Sequence, residues 1–214
     1  MKKLMVLFPG IGYTCDKPLL YYSSKMAPTL DYDVLPVPYV GFPKKVKGDR
    51  KRMRESFEMA FSQAEEMLQD VRWDEYEDVV FVSKSIGTVV ASCYAARHGL
   101  KVRSVLFTPL AETFEFVGKQ GEADGSREQT DGSDCDASSE RKAGRSGSVG
   151  AGAISFHGTA DPWAETPAIR AACEARGIPL YLTEGANHSL ETGDVLRDIE
   201  NLGGVMRIVR SFLL

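Results

Sequence analysis

The stretch Ser83-Lys84-Ser85-Ile86-Gly87 combines a candidate nucleophile with the local geometry that would expose it. Before it, Val79-Val80-Phe81-Val82 is a β-branched and aromatic run, as a buried strand requires. After it, Val89-Val90-Ala91-Ser92-Cys93-Tyr94-Ala95-Ala96 is small and apolar, suited to a helix packed against a sheet. A strand that turns sharply into a helix at Ser-x-Gly lifts the serine clear of the sheet. The same turn aims the Ile86 N–H and the positive end of the helix dipole at one spot beside Ser85. A serine hydroxyl is a poor nucleophile until a base takes its proton. N–H groups at that spot would hold the oxyanion formed when it attacks a carbonyl. Such turns usually begin with Gly; Ser83 stands there instead, and its small side chain satisfies the same close approach of strand and helix.

The base and its partner acid must come from elsewhere in the chain. His188 lies in Glu184-Gly185-Ala186-Asn187-His188-Ser189-Leu190, directly after an expected strand at 178–183. Asp161 lies in Gly158-Thr159-Ala160-Asp161-Pro162-Trp163, directly after an expected strand at 153–157. Only three histidines are present, so His188 has few rivals as the base. His98, in the last turn of a helix, suits the helix dipole, and His157, inside or at the end of a strand, is expected to be structural. The acid is less determined, since Glu165 and Asp194 are alternatives to Asp161. Leu4-Met5-Val6-Leu7-Phe8 reads as a first buried strand, broken by Pro9-Gly10-Ile11-Gly12-Tyr13. A glycine-containing loop in that place can supply a second oxyanion N–H, from Ile11 or Gly12.

Strands and helices alternate along the chain, the pattern of a doubly wound, mostly parallel sheet of about six strands with helices on both faces. Active sites of such sheets form at the carboxyl ends of the strands. Ser85, Asp161 and His188 each follow a strand, in that chain order. Pro36 and Pro38 remove backbone donors from a strand at 33–39, which therefore belongs at a sheet edge. Met53, Phe57, Ala60, Phe61, Ala64, Leu68 and Val71 fall on one face of a long amphipathic helix running from Asp49 to about Arg72. The basic cluster at its start, Lys44, Lys45, Lys47, Arg50, Lys51, Arg52 and Arg54, reads as a solvated face; contact with an anionic substrate group is the alternative. Asp16 is the expected cap of the helix around Leu19 and Leu20, and Gly99 the expected end of the helix after Ser85. Phe114, Phe116 and Val117 are placed where they could cover the site entrance, and Gly203-Gly204 should weaken the start of the last helix.

A chain of 214 residues suits a single domain, 1–214. Residues 118–150 form a low-complexity insertion, with no large apolar residue from Gly118 to Ser148, and such a segment cannot offset its ordering entropy by burial. The net charge of −4 offers no electrostatic case for nucleic acid or an anionic membrane. No apolar run approaches the roughly 18–20 residues that span a bilayer. The N-terminal apolar run stops at Phe8, too short for a secretory leader. Cys15, Cys93, Cys135 and Cys173 are scattered without CxxC or a close His, which argues against a zinc site or disulfide framework and fits the cytoplasm.

With Ser-Lys-Ser-Ile-Gly, His-Gly-Thr-Ala-Asp-Pro-Trp and Gly-Ala-Asn-His-Ser-Leu in this order, the chain resembles the α/β-hydrolase superfamily, in particular its compact serine hydrolases without a large cap. The resemblance covers nearly the whole chain outside the insertion. It departs at Ser83 and at Phe-Pro-Gly-Ile-Gly, where many members have His-Gly. Dienelactone hydrolases share the compact form but use a cysteine, and Ser85 argues against that activity. The resemblance implies a Ser85–Asp161–His188 triad, an oxyanion hole from Ile86 with Ile11 or Gly12, and hydrolysis of a small carboxylic ester or thioester without metal or cofactor. An acyltransferase with the same triad, or a non-catalytic binding protein of this fold, is the alternative.

Overall fold

The computed structural model describes residues 2–43, 46, 48–118 and 152–214. The expected insertion at 118–150 lies outside them apart from Gly118, as do Lys44, Lys45 and Lys47 of the basic cluster. Six parallel strands form one sheet: β1 (Lys2–Phe8), β2 (Tyr32–Pro36), β3 (Tyr76–Lys84), β4 (Arg103–Phe107), β5 (Ala153–Gly158) and β6 (Leu180–Thr183). Their order across the sheet is β2-β1-β3-β4-β5-β6. The chain moves outward from β1 to β2, then returns to the other side of β1 with β3. That reversal is the switch point at which open α/β sheets hold their sites.

Strand residues alternate between two cores, as period 2 demands. Met5, Leu7, Val80, Val82, Phe107 and Phe156 face α1 (Pro18–Met26) and α6 (Val195–Leu213). Leu4, Val6, Phe8, Val79 and Phe81 face α2 (Arg50–Leu68) and α3 (Ile86–Arg97). Two short α-helices, α4 (Thr113–Phe116) and α5 (Thr166–Glu174), pack together through Phe114, Ile169 and Cys173, and single 3-10 turns lie at Ala27–Leu30 and Trp73–Glu75. Residues Ile86 to Tyr94 of α3 are buried all round, so this helix has no solvent face to mark its register.

Local chemistry accounts for most boundaries. Asp49 caps α2 by accepting from the Arg52 N–H, 3.0 Å away. Gly99, with φ +61°, ends α3, and the Gly99 and Leu100 N–H groups return to the Ala96 and Ala95 carbonyls. β2 is an edge strand as its prolines require; the Val37 N–H still reaches Leu7 O at 2.9 Å, and Pro38, without an N–H, cannot extend the ladder.

Three expectations are corrected. Asp16 does not cap α1; Lys17 holds that position without a side-chain bond, and Pro18 at the helix start needs none for its own nitrogen. Gly203-Gly204 neither breaks the last helix nor lies at its start; the helix begins earlier and runs through both glycines. Asp194 caps it, and Val205, Val209 and Leu213 bury its inner face, together outweighing about 1 kcal/mol per glycine. Phe114 and Val117 do not cover the site; they are buried against α5, leaving Phe116 packed near Ile86 and Ile11.

Candidate active site

The turn between β3 and α3 holds Ser85 at φ 55°, ψ −126°, a conformation that a non-glycine residue adopts only when its surroundings force it. The forcing groups are on both sides. The Ser85 N–H is held by the Phe107 carbonyl of β4 at 3.0 Å, and its own carbonyl accepts from the Thr88 hydroxyl at 2.6 Å. Two residues on, Gly87 lies against the end of β1, where a Cβ would stand 2.3 Å from Phe8 O and 2.4 Å from Pro9 O. The Ser-x-Gly spacing therefore has a steric cause: the helix can start this close to β1 only without a side chain at Gly87. Ser83 points away from the turn and donates to Val105 O at 3.2 Å, fully buried. It fills the small-residue position without competing with Ser85.

Asp161 and His188 meet Ser85 from two neighbouring strand ends. His188 Nε2 lies 2.7 Å from Ser85 Oγ, and His188 Nδ1 lies 2.7 Å from Asp161 Oδ2. The Asp161 side chain is fully buried. Burial alone would raise its pKa, but the hydrogen bond with His188 and the Trp163 N–H at 2.8 Å outweigh that and hold the carboxyl below its ordinary value. An ionised Asp161 accepts the Nδ1 proton, which leaves Nε2 free to take the proton of Ser85. The rival acids are placed otherwise. Asp194 Oδ1 accepts from the Leu196 and Arg197 N–H groups as the cap of α6. Glu165 precedes α5 and makes no side-chain cap bond there.

The loop after β1 arrives on top of the same turn. Gly10 and Tyr13 exchange backbone hydrogen bonds at 3.0 and 3.2 Å, making a tight hairpin with Ile11 and Gly12 at its tip. A Cβ on Gly10 would lie 3.1 Å from Ser85 Cβ, so this hairpin touches the nucleophile. Ile11 packs against the Ile86 cluster. Among the described residues the Ile11 and Gly12 N–H groups have no partner, and Ile86 is the first residue of α3, where N–H groups have no helical acceptor.

His157, expected to be structural from its place in β5, is fully buried, with Nε2 3.2 Å from Thr166 Oγ1 and Nδ1 3.7 Å from Asp161 Oδ2. Burial holds it below its ordinary pKa, against the pull of Asp161. His98 pairs with Glu65 at 2.9 Å and packs on the Tyr94 ring, so it has a specific carboxylate partner besides the helix dipole.

Sequence reasoning missed three contributors. Asn187 Oδ1 accepts from the Ser189 and Glu191 N–H groups, folding the loop that carries His188, and Asn-x-Ser was a readable turn signal. The Trp163 ring lies 5.6 Å from the His188 ring, and Thr108 Oγ1 donates to His188 O at 3.1 Å. Neither contact had a local signature. A cavity of about 420 Å³ between α1 and α6 is lined by Leu19, Leu190, Val195, Ile199 and Leu202, among others. It adjoins the His188 loop, but neither Ser85 nor His188 lines it. Among the described residues there is no cluster of three metal-ligating side chains, and no helix is long and apolar enough to cross a membrane.

No protein-family model and no curated protein sequence matches the chain. Solved structures do. The Pyrococcus furiosus esterase Pf2001 is 12% identical with a TM-score of 0.61, the match covering 99% of this chain and 82% of the other. Esterase PE8 is 17% identical with a TM-score of 0.60, covering 99% and 93%. An alpha-beta serine hydrolase homologue from Coxiella burnetii is 14% identical with a TM-score of 0.52, covering 96% and 84%. At such identities the likeness lies in the arrangement of strands and helices, and it extends over nearly the full length. The chain has the α/β-hydrolase fold.

Proposed function

We propose that this chain is a serine hydrolase that cleaves a carboxylic ester or thioester through an acyl-enzyme on Ser85. The observation that carries the reading is the continuous chain Ser85 Oγ–His188 Nε2 and His188 Nδ1–Asp161 Oδ2, with 2.7 Å at each step. Both contacts are at hydrogen-bond length, as a nucleophile, its base and the group orienting that base require. Structures of like fold that are described as hydrolases and esterases add support.

In this mechanism Ser85 Oγ attacks the acyl carbonyl while its proton passes to His188 Nε2. Asp161 holds the imidazole in the tautomer with Nδ1 protonated and stabilises the imidazolium that forms. The carbonyl oxygen becomes an oxyanion and accepts from the Ile86 N–H and from Ile11 or Gly12 at the hairpin tip. Collapse of this intermediate breaks the bond to the leaving group, which departs as an alcohol or thiol with the proton from Nε2. Water then repeats the sequence on the acyl-enzyme and releases the acid. No metal or cofactor takes part. The scattered placing of Cys15, Cys93, Cys135 and Cys173, without CxxC or a close His, supports placing the protein in the reducing cytosol.

Labelling with a fluorophosphonate probe, mapped by peptide mass, tests the reading together with turnover of short-chain p-nitrophenyl esters. Modification at Ser85 with ester turnover is the expected result. Neither labelling nor turnover would favour a binding protein of the same fold, and labelling with acyl transfer to an added alcohol instead of water would favour a transferase.

A further inference from the structure

Lys84 has no part in that chemistry, yet it stands between the two serines of the turn and is only 1% exposed. It continues the alternation of Val80 and Val82, so its side chain enters the face covered by α1 and α6. A lysine ammonium in such a place is costly unless other charges compensate it. Among the described residues its Nζ makes no hydrogen bond or ion pair, and it lies over the Tyr13 ring, 5.0 Å from the centroid. The helices offer no compensation, since α1 and α6 present Leu19, Leu20, Val205 and Val209 to this face. The titratable groups around it come from three loops: Tyr13 after β1, Asp161 after β5 and Glu191 after β6. Asp161 is in turn bonded to His188 and lies 3.7 Å from His157 Nδ1. Burial pushes the Lys84 ammonium down to about 7, while the Asp161 and Glu191 carboxylates pull it upward.

We propose that Lys84 is a positioning residue for the Ser85–His188–Asp161 chain, a buried positive charge beside Ser85 that opposes protonation of His188. The inference rests on the reading of these three residues as a triad. Only neutral imidazole accepts the Ser85 proton, so a cation buried beneath the turn that carries Ser85 keeps the base available at lower pH. Burial makes this cation conditional: it is present on the acid side of neutrality and fades as Lys84 gives up its proton.

The test is titration of the imidazole signals by NMR in the wild type and in the neutral variants Lys84→Met and Lys84→Gln. The His188 midpoint should rise in both variants, on the order of one pH unit, the size of a single charge–charge interaction at an effective dielectric near 20. His98, paired with Glu65 on the far side of α3, should not move. In the wild type the His188 signal should sense two ionisations, its own and that of Lys84, which needs no variant to fold. An unmoved His188 midpoint in either folded variant overturns the proposal, as does a wild-type curve with a single ionisation. Neither reading depends on turnover. Failure of ester hydrolysis and probe labelling would overturn the hydrolase reading separately.

Discussion

Gly158, the last residue of β5, lies directly against Ala186: a Cβ there would stand 2.3 Å from the Ala186 carbonyl oxygen and 2.6 Å from that of Asn187. This contact sets the spacing between the loop that carries Asp161 and the loop that carries His188. The Ala160 N–H bonds to the same Ala186 oxygen at 2.9 Å, locking the two loops together. Gly158→Ala must push them apart. It should lower stability by roughly 1–3 kcal/mol, the usual range for forcing extra volume into a packed site. It should also lower kcat far more than the loss of folded protein accounts for, because the Asp161–His188 bond is displaced. Melting curves and ester turnover on the same preparation check both, and an active variant of wild-type stability would show that the loops tolerate the shift.

Ser85→Ala should abolish fluorophosphonate labelling, and Ser83→Ala should keep most of it. Ser85 Oγ is the hydroxyl in contact with His188, whereas Ser83 is buried and bonded to Val105 O. Loss of that bond should cost Ser83→Ala about 1 kcal/mol of stability. Labelling lost in Ser83→Ala and retained in Ser85→Ala would reverse the assignment.

Asp161→Asn should reduce turnover on the order of 10⁴-fold, since the amide permits the wrong imidazole tautomer. That factor corresponds to about 5 kcal/mol of barrier. Asp194→Asn should be near wild type, because asparagine caps a helix as well as aspartate does. Glu165→Gln should be near wild type as well. Steady-state kinetics on the three proteins decide the acid, and a large loss in Glu165→Gln or Asp194→Asn alone would overturn Asp161.

Stability should increase with pH above neutrality. Folded Lys84 gives up its proton at about 7, against about 10.4 in an unfolded chain. Between those values the unfolded chain binds more protons than the folded one, so unfolding becomes harder as pH rises. The full span corresponds to an upper figure of about 5 kcal/mol. Lys84→Met should remove most of this slope and be at least as stable as the wild type at neutral pH, where the buried charge is unfavourable. Urea unfolding near neutrality and near the upper value measures it. An equal slope in both proteins would locate its source elsewhere.

The strand and helix sequence was legible because hydrophobic period is a local property: Val79 to Val82 announces β3, and the spacing from Met53 to Leu68 announces α2. The elbow at Ser85 was legible for the same reason, since Gly87 two residues on is a local steric requirement. Asp161 and His188 could be placed at strand ends and in order, but not in contact. Ser85 and His188 are 103 residues apart in sequence, and only the parallel pairing of β3 through β6 brings their loops to one end of the sheet. The choice of Asp161 over Asp194 was equally tertiary: both carboxylates accept backbone N–H bonds, and what separates them is which one reaches the imidazole. Lys84 shows the limit most directly. In sequence it is a polar residue in a turn; in the fold, the alternation of β3 directs it under α1 and α6, where burial gives an ordinary lysine an ionisation near neutrality.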